Sequence, residues 1–268
     1  MLGKLIKNEF KAGLHSVANI YIAAFAAVAL MAVSLAFDIT WLTAISLIAV
    51  IVVALGILIV TLISIVSNFN KTLFRDQGYL SFTLPVTSGQ LLFSKAFCSF
   101  CWLLLSYASV IAIFISIFYF AAEQVGEENL AMIKILISTI AELPDTGAII
   151  SVIVTLVTRV FLKIIFLVAE IFFAITLSNV RPFQRQSFLP AIIIFIVLYG
   201  VLNTVSTLLS AYVPLSLLIS VQGIQFTTQA MSGGNMVLSL ADIIFEFAVT
   251  CLFFYLSAWF MNHKINLK

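Results

Sequence analysis

Five ionisable side chains fall inside long apolar stretches of this sequence: Arg159, Lys163, Glu170, Asp242 and Glu246. At 100° per residue, Arg159, Lys163 and Glu170 lie within about 40° of one another on one helical face. Asp242 and Glu246 are four residues apart and share a face of another helix. Each such charge costs about 2.5–3.5 kcal/mol at the centre of a bilayer on insertion scales, so the five need partners or water. Measured from the ends of their apolar stretches, Arg159 lies about 15 Å deep and Glu246 about 12 Å deep, level enough to pair across helices. Such a cluster can hold a gate closed, line a substrate path, or act as a static ion pair that fixes packing. A helix that outruns the lipid would instead leave some of these charges in water.

The other reactive residue types form weaker patterns. Cys98-Ser-Phe-Cys101 has the spacing of a redox or zinc pair, but it lies within an apolar helix and has no second pair. The histidines are His15 and His263, and a metal site needs about four ligands. The cysteines therefore read as small buried residues. The sequence contains no His-Glu-x-x-His, Gly-x-Ser-x-Gly or Gly-x-x-x-x-Gly-Lys-Ser/Thr. Neither a catalytic residue, a metal nor a cofactor is expected in this chain, and any ATP would have to be bound by another polypeptide.

The elements that carry these residues follow from composition. Apolar residues make up 63% of the chain and charged residues 9%, against about 25% charged in soluble domains. That much apolar surface requires lipid as solvent. Six apolar runs are long enough to cross a bilayer as helices: 18–37, 41–66, 96–120, 149–177, 188–209 and 238–261. They do not alternate apolar with polar residues, which excludes a transmembrane β-barrel. The stretch before the first run is long and carries Glu9, so no cleavable signal peptide is expected.

Six spans sort the charges. Lys4, Lys7, Lys11, Lys71, Arg75, Lys95, Arg181, Arg185, Lys264 and Lys268 fall on one side. The other side carries Lys134 with Asp38, Glu123, Glu127, Glu128, Glu142 and Asp145. The basic side is expected to be cytoplasmic, with both termini there. Trp41, Tyr119 and Tyr212 suit the outer interface and Trp259 the inner one. Residues 1–268 read as a single membrane domain.

Three segments between or beside the spans are informative. In residues 1–16, Leu2, Ile6, Phe10 and Leu14 share a face opposite Lys4, Lys7, Asn8 and Lys11. That pattern suits an amphipathic helix lying flat at an anionic membrane surface. In residues 67–95, Lys71 to Gln77 can form two helical turns ended by Gly78, and Thr87-Ser88-Gly89-Gln90 is a capping-box pattern that starts the third helix. Residues 210–237 make a long outer connection that either dips into the membrane and returns or lies on the surface. The outer loop 121–148 holds an apolar stretch too short to span.

Residues 73–86, Leu-Phe-Arg-Asp-Gln-Gly-Tyr-Leu-Ser-Phe-Thr-Leu-Pro-Val, precede Gln90-Leu-Leu and Ser94-Lys95. This segment resembles the second cytoplasmic segment of bacterial type-2 ABC exporter permeases. The opening Leu5-Ile-Lys-Asn-Glu-Phe-Lys11 is similar to their N-terminal interfacial helix. The resemblance implies an all-α integral membrane protein with six transmembrane helices, an interfacial amphipathic helix, and a coupling helix between spans two and three. It implies that Phe74, Arg75, Asp76 and Tyr79 sit at or beside the contact with a soluble ATPase subunit, which binds ATP and magnesium. It also implies a second permease copy or paralogue, a bacterial cytoplasmic membrane, and an exported substrate. The apolar character favours a hydrophobic or amphipathic substrate such as a peptide, drug or lipid. Without the resemblance, Arg75 simply obeys the charge rule and Asp76 pairs with it. The competing function is an ion-driven secondary transporter that uses the five intramembrane charges.

Overall fold

The computed structural model describes residues 2–37, 39–74, 87–124, 146–180, 189–213, 216–220, 223–227 and 236–263. Among them are six helices: α1 (Leu2–Ala36), α2 (Thr40–Phe74), α3 (Ser88–Gln124), α4 (Thr146–Ser178), α5 (Leu189–Tyr212) and α6 (Leu240–His263). All six are long and apolar enough to cross a membrane, which makes the chain a multi-pass helical membrane protein. The chain divides into two compact units, Met1–Ile135 and Leu136–Lys268.

The first unit packs α1, α2 and α3 against one another. Contact between apolar side chains gains little in hydrocarbon, so polar contacts weigh heavily in fixing helix register. Three polar layers do this here. At the end where the chain starts, Lys95 Nζ donates to Glu9 Oε1 (2.5 Å) and to Thr72 Oγ1 (2.6 Å), and Asn68 Nδ2 donates to Glu9 Oε2 (3.1 Å). The pair is desolvated, with side-chain exposures of 4% for Lys95 and 13% for Glu9. Twelve residues further along α1, about 18 Å, the Ser106 hydroxyl meets both Tyr21 (2.8 Å) and Thr61 (2.7 Å). At the far end Ser34 meets Ser46 across the α1–α2 turn (3.3 Å). Ala24, Met31, Val50, Ala54, Ile57 and Ile113 fill the space between the layers.

Residues 2–16 form the first part of α1. This helix runs unbroken from Leu2 to Ala36 and packs lengthwise on α3. Phe10 stacks on Trp102 with ring centroids 4.8 Å apart, and the Cys98 thiol donates to the Ile6 carbonyl. Gly13 permits the approach, since a Cβ there would lie 2.3 Å from Trp102 Nε1. No Gly or Pro interrupts residues 14–18 to separate the two parts. The side chains of Lys4, Lys7, Asn8 and Lys11 remain exposed on the opposite face.

The second helix likewise runs further than its apolar run, through 67–74, and ends at Phe74. The third begins at Ser88 behind a reciprocal capping box: Gln90 N donates to Thr87 Oγ1 (3.3 Å) and Thr87 N donates to Gln90 Oε1 (3.4 Å). Residues 75–86 lie outside the described residues, as do most of 121–148.

In the second unit α4 packs on α6 and α5. Phe173 stacks on Phe253 with centroids 4.5 Å apart and planes 5° from parallel, and Ala169 completes that core. The helical pattern breaks in the segment 210–237. This segment, expected either to dip into the membrane and return or to lie on the surface, contains strands β1 (Ser216–Ser220) and β2 (Gly223–Thr227), with β3 (Met236–Ser239) following on. The sheet is antiparallel in the order β2-β1-β3, with Ser220 paired to Gly223 and Ser216 to Ser239. Runs of Leu217-Leu218-Ile219 and Met236-Val237-Leu238 bounded by Gly and Ser favour strands, and inter-strand hydrogen bonds satisfy most of the backbone.

Removing one partner of the Glu9–Lys95 pair is expected to be severe. Glu9→Gln should lower bundle stability by about 3–5 kcal/mol, because it leaves a buried ammonium unpaired. The exchange Glu9→Lys with Lys95→Glu should recover most of that, since Asn68 and Thr72 can reverse their donor and acceptor roles. Gly13→Leu should cost about 1–3 kcal/mol by overpacking against Trp102. Unfolding of the purified variants in lipid bicelles measures all three.

Candidate functional site

Four ionisable side chains of the second unit, Arg159, Lys163, Asp242 and Glu246, converge near the end that carries the sheet. Their placement begins with Ser239, whose Oγ accepts from Asp242 N (3.3 Å) and caps α6. This sets Asp242 in the first turn of α6, where the helix dipole favours an anion. Glu246 follows one turn later on the same face. Across from them, α4 presents Arg159 and Lys163, also one turn apart.

The geometry is a fork between two carboxylates. Arg159 Nη1 donates to Glu246 Oε2 (2.6 Å) and Nη2 to Glu246 Oε1 (3.3 Å), which is bidentate. Arg159 Nη2 also donates to Asp242 Oδ2, and Lys163 Nζ donates to Glu246 Oε1. From α5, the Ser206 hydroxyl donates to Asp242 Oδ1. Two cations thus face two anions, and the cluster joins all three helices. The desolvation cost is met by full pairing and not by exposure of the acids.

Exposure is unequal across the cluster. The side chains of Glu246 and Asp242 are 4% and 11% exposed, and Arg159 is 17% exposed. Lys163 is 48% exposed. The acids form the back of the site and Lys163 its open side.

Glu170 is not part of this group. It is fully buried on α4, and neither carboxyl oxygen has a hydrogen-bond partner among the described residues. Four of the five intramembrane charges are therefore brought together and one is not. Ser206 was not singled out by sequence. Its signal was the polar run Asn203, Thr204, Ser206, Thr207 and Ser210 in an otherwise apolar helix. Glu9 and Lys95 were also missed as a pair, although an acid within the basic N-terminal stretch was a visible anomaly.

Of the residues suggested for an ATPase contact, only Phe74 lies among the described residues. Phe74 is the last residue of α2, and Arg75, Asp76 and Tyr79 lie outside the described residues. Of the cysteine pair, Cys98 is buried and serves in packing against α1.

Removal of the shared cation should be the most damaging change in this unit. Arg159→Leu strands Asp242 and leaves Glu246 with Lys163 alone, for an expected loss of about 3–5 kcal/mol. Glu170→Leu should be neutral or stabilising by about 1–3 kcal/mol, because it removes an unmatched buried polar group. Paired unfolding measurements in bicelles separate the two outcomes.

Comparison of the chain with family models, with curated proteins and with solved structures gives no match.

Proposed function

We propose that this chain is the membrane subunit of an ATP-driven exporter in a bacterial cytoplasmic membrane, with both termini in the cytoplasm. A separate ATPase subunit would bind ATP and magnesium. A second permease, identical or paralogous, would complete the substrate path. The observation that carries this reading is the sequence of residues 73–95, with its resemblance to the coupling segment of type-2 ABC exporter permeases.

Three further features support it. Six apolar helices are half of an exporter's usual complement. Ten basic residues sort to the side that holds residues 73–95. The segment hangs between two long helices, α2 and α3, whose near ends are tied to each other and to α1 through Glu9, Asn68, Thr72 and Lys95. A lever must be firmly attached to transmit motion, and this knot is a firm attachment. Phe74, Arg75, Asp76 and Tyr79 would make the ATPase contact, since an aromatic and an arginine suit an interface hot spot. A hydrophobic or amphipathic substrate fits a path lined by such apolar helices.

The four-charge cluster favours a second reading, an ion-driven secondary transporter. That reading predicts transport that follows a proton or sodium gradient without ATP.

Affinity-tagged chain extracted from its native membrane should bring down an ATPase subunit and support ATP hydrolysis. Arg75→Glu or Asp76→Arg should reduce coupled hydrolysis by about tenfold or more, the effect of losing one good interface contact. Full coupling in both variants, or gradient-driven transport with no ATPase present, overturns the assignment.

A further inference from the structure

The ion cluster of the second unit is balanced in charge but not in hydrogen bonds. Glu246 accepts at both oxygens, with Oε1 taking two donors, and Asp242 accepts at both of its own. The acceptors are thus well occupied. The donors are not. A guanidinium carries five N–H groups and an ammonium three. Among the described residues, Arg159 makes three of its bonds and Lys163 makes one. Unspent N–H groups in an apolar setting are costly, and they call for oxygen acceptors.

The direction of the surplus is set by burial. The carboxylates form the closed side, and Lys163, 48% exposed, forms the open one. The neighbours on that open side are apolar. Leu156 and Val160 precede Lys163 by seven and three residues, share its helical face, and are themselves exposed. Lys163 lies fourteen residues, about 21 Å, beyond Ile149, where the apolar run of α4 begins. A free inorganic ion has little reason to enter so deep between apolar side chains. A molecule with an oxyanion at one end and a hydrocarbon chain at the other satisfies both surfaces.

We propose that Lys163, backed by Arg159, is a binding site for the oxyanion of an anionic amphiphile, such as a phosphodiester or carboxylate headgroup, with the apolar part of the ligand lying along the Leu156–Val160 face. Arg159 is the fixed half of the site, held by two carboxylates. Lys163 is the adaptable half, because Glu246 keeps its bidentate partner when the ammonium turns to a ligand. Interpretation of the site as a cargo site rests on the exporter reading above, whereas binding itself does not.

The test uses the full chain in nanodiscs of phosphatidylcholine, with phosphatidylglycerol, a fatty acid or inorganic phosphate added, and native mass spectrometry to count retained ligand. The wild-type chain should retain phosphatidylglycerol or the fatty acid well above phosphatidylcholine. Lys163→Gln should lower that retention about tenfold or more, the usual effect of losing one charged hydrogen bond. Lys163→Arg should restore it, which separates loss of the site from loss of the fold. Equal retention by Lys163→Gln, or no preference of the wild type for the anionic lipids, overturns the proposal. Inorganic phosphate that binds as well as the amphiphiles overturns the amphiphile assignment. Retention of the lipid with no ATPase recovered from the native membrane supports the site and removes only its role in ATP-driven export.

Discussion

Helices surrounded by hydrocarbon gain little by exchanging a lipid contact for a leucine contact. The few polar side chains that face other helices therefore decide which helices associate and in what register. In this protein the ion pair between Glu9 and Lys95 is the clearest case. Either charge alone would be costly at that position, and together they bring α1 and α3 side by side. Asn68 and Thr72 then tie α2 to the same point. The layers at Ser106 and at Ser34 repeat the principle with neutral groups, each hydroxyl also returning a bond to its own helix. The apolar side chains between the layers fill space; the polar ones specify the arrangement.

The second unit meets the same constraint with stronger groups and fewer of them. One guanidinium spans two carboxylates, and a serine from the third helix closes the set. The aromatic stack of Phe173 and Phe253 serves the other half of the unit. Glu170, between these two regions on α4, is buried with no partner among the described residues. A protein under selection for stability alone would not hold such a group there.

The six spans were legible because twenty-residue apolar runs have few alternatives. The face shared by Arg159 and Lys163, and the level of Glu246, were legible because helical periodicity fixes both. The start of α3 at Ser88 was legible in Thr87 and Gln90, since a capping box is a local signal. What depended on distant partners was not legible. The contacts that join the N-terminal part of α1 to α3, Phe10 on Trp102 and Glu9 on Lys95, link residues that no local pattern connects. The strands in 216–239 were hidden because short apolar runs between glycines and serines do not distinguish strand from loop without their pairing partners. Ser206 was one hydroxyl among several on α5, and its importance comes only from where Asp242 stands.

Ser239 does two jobs with a single residue. Its backbone is the last rung of β3 against Ser216, and its hydroxyl caps the helix that carries Asp242 and Glu246. No linker separates strand from helix, because β3 ends at Ser239 and α6 begins at Leu240. The junction has no slack. A tug on the sheet cannot be absorbed by a loose hinge and must arrive at the capped turn. The sheet is thereby geared mechanically to the helix turn that carries Asp242, much as a door handle is geared to its latch.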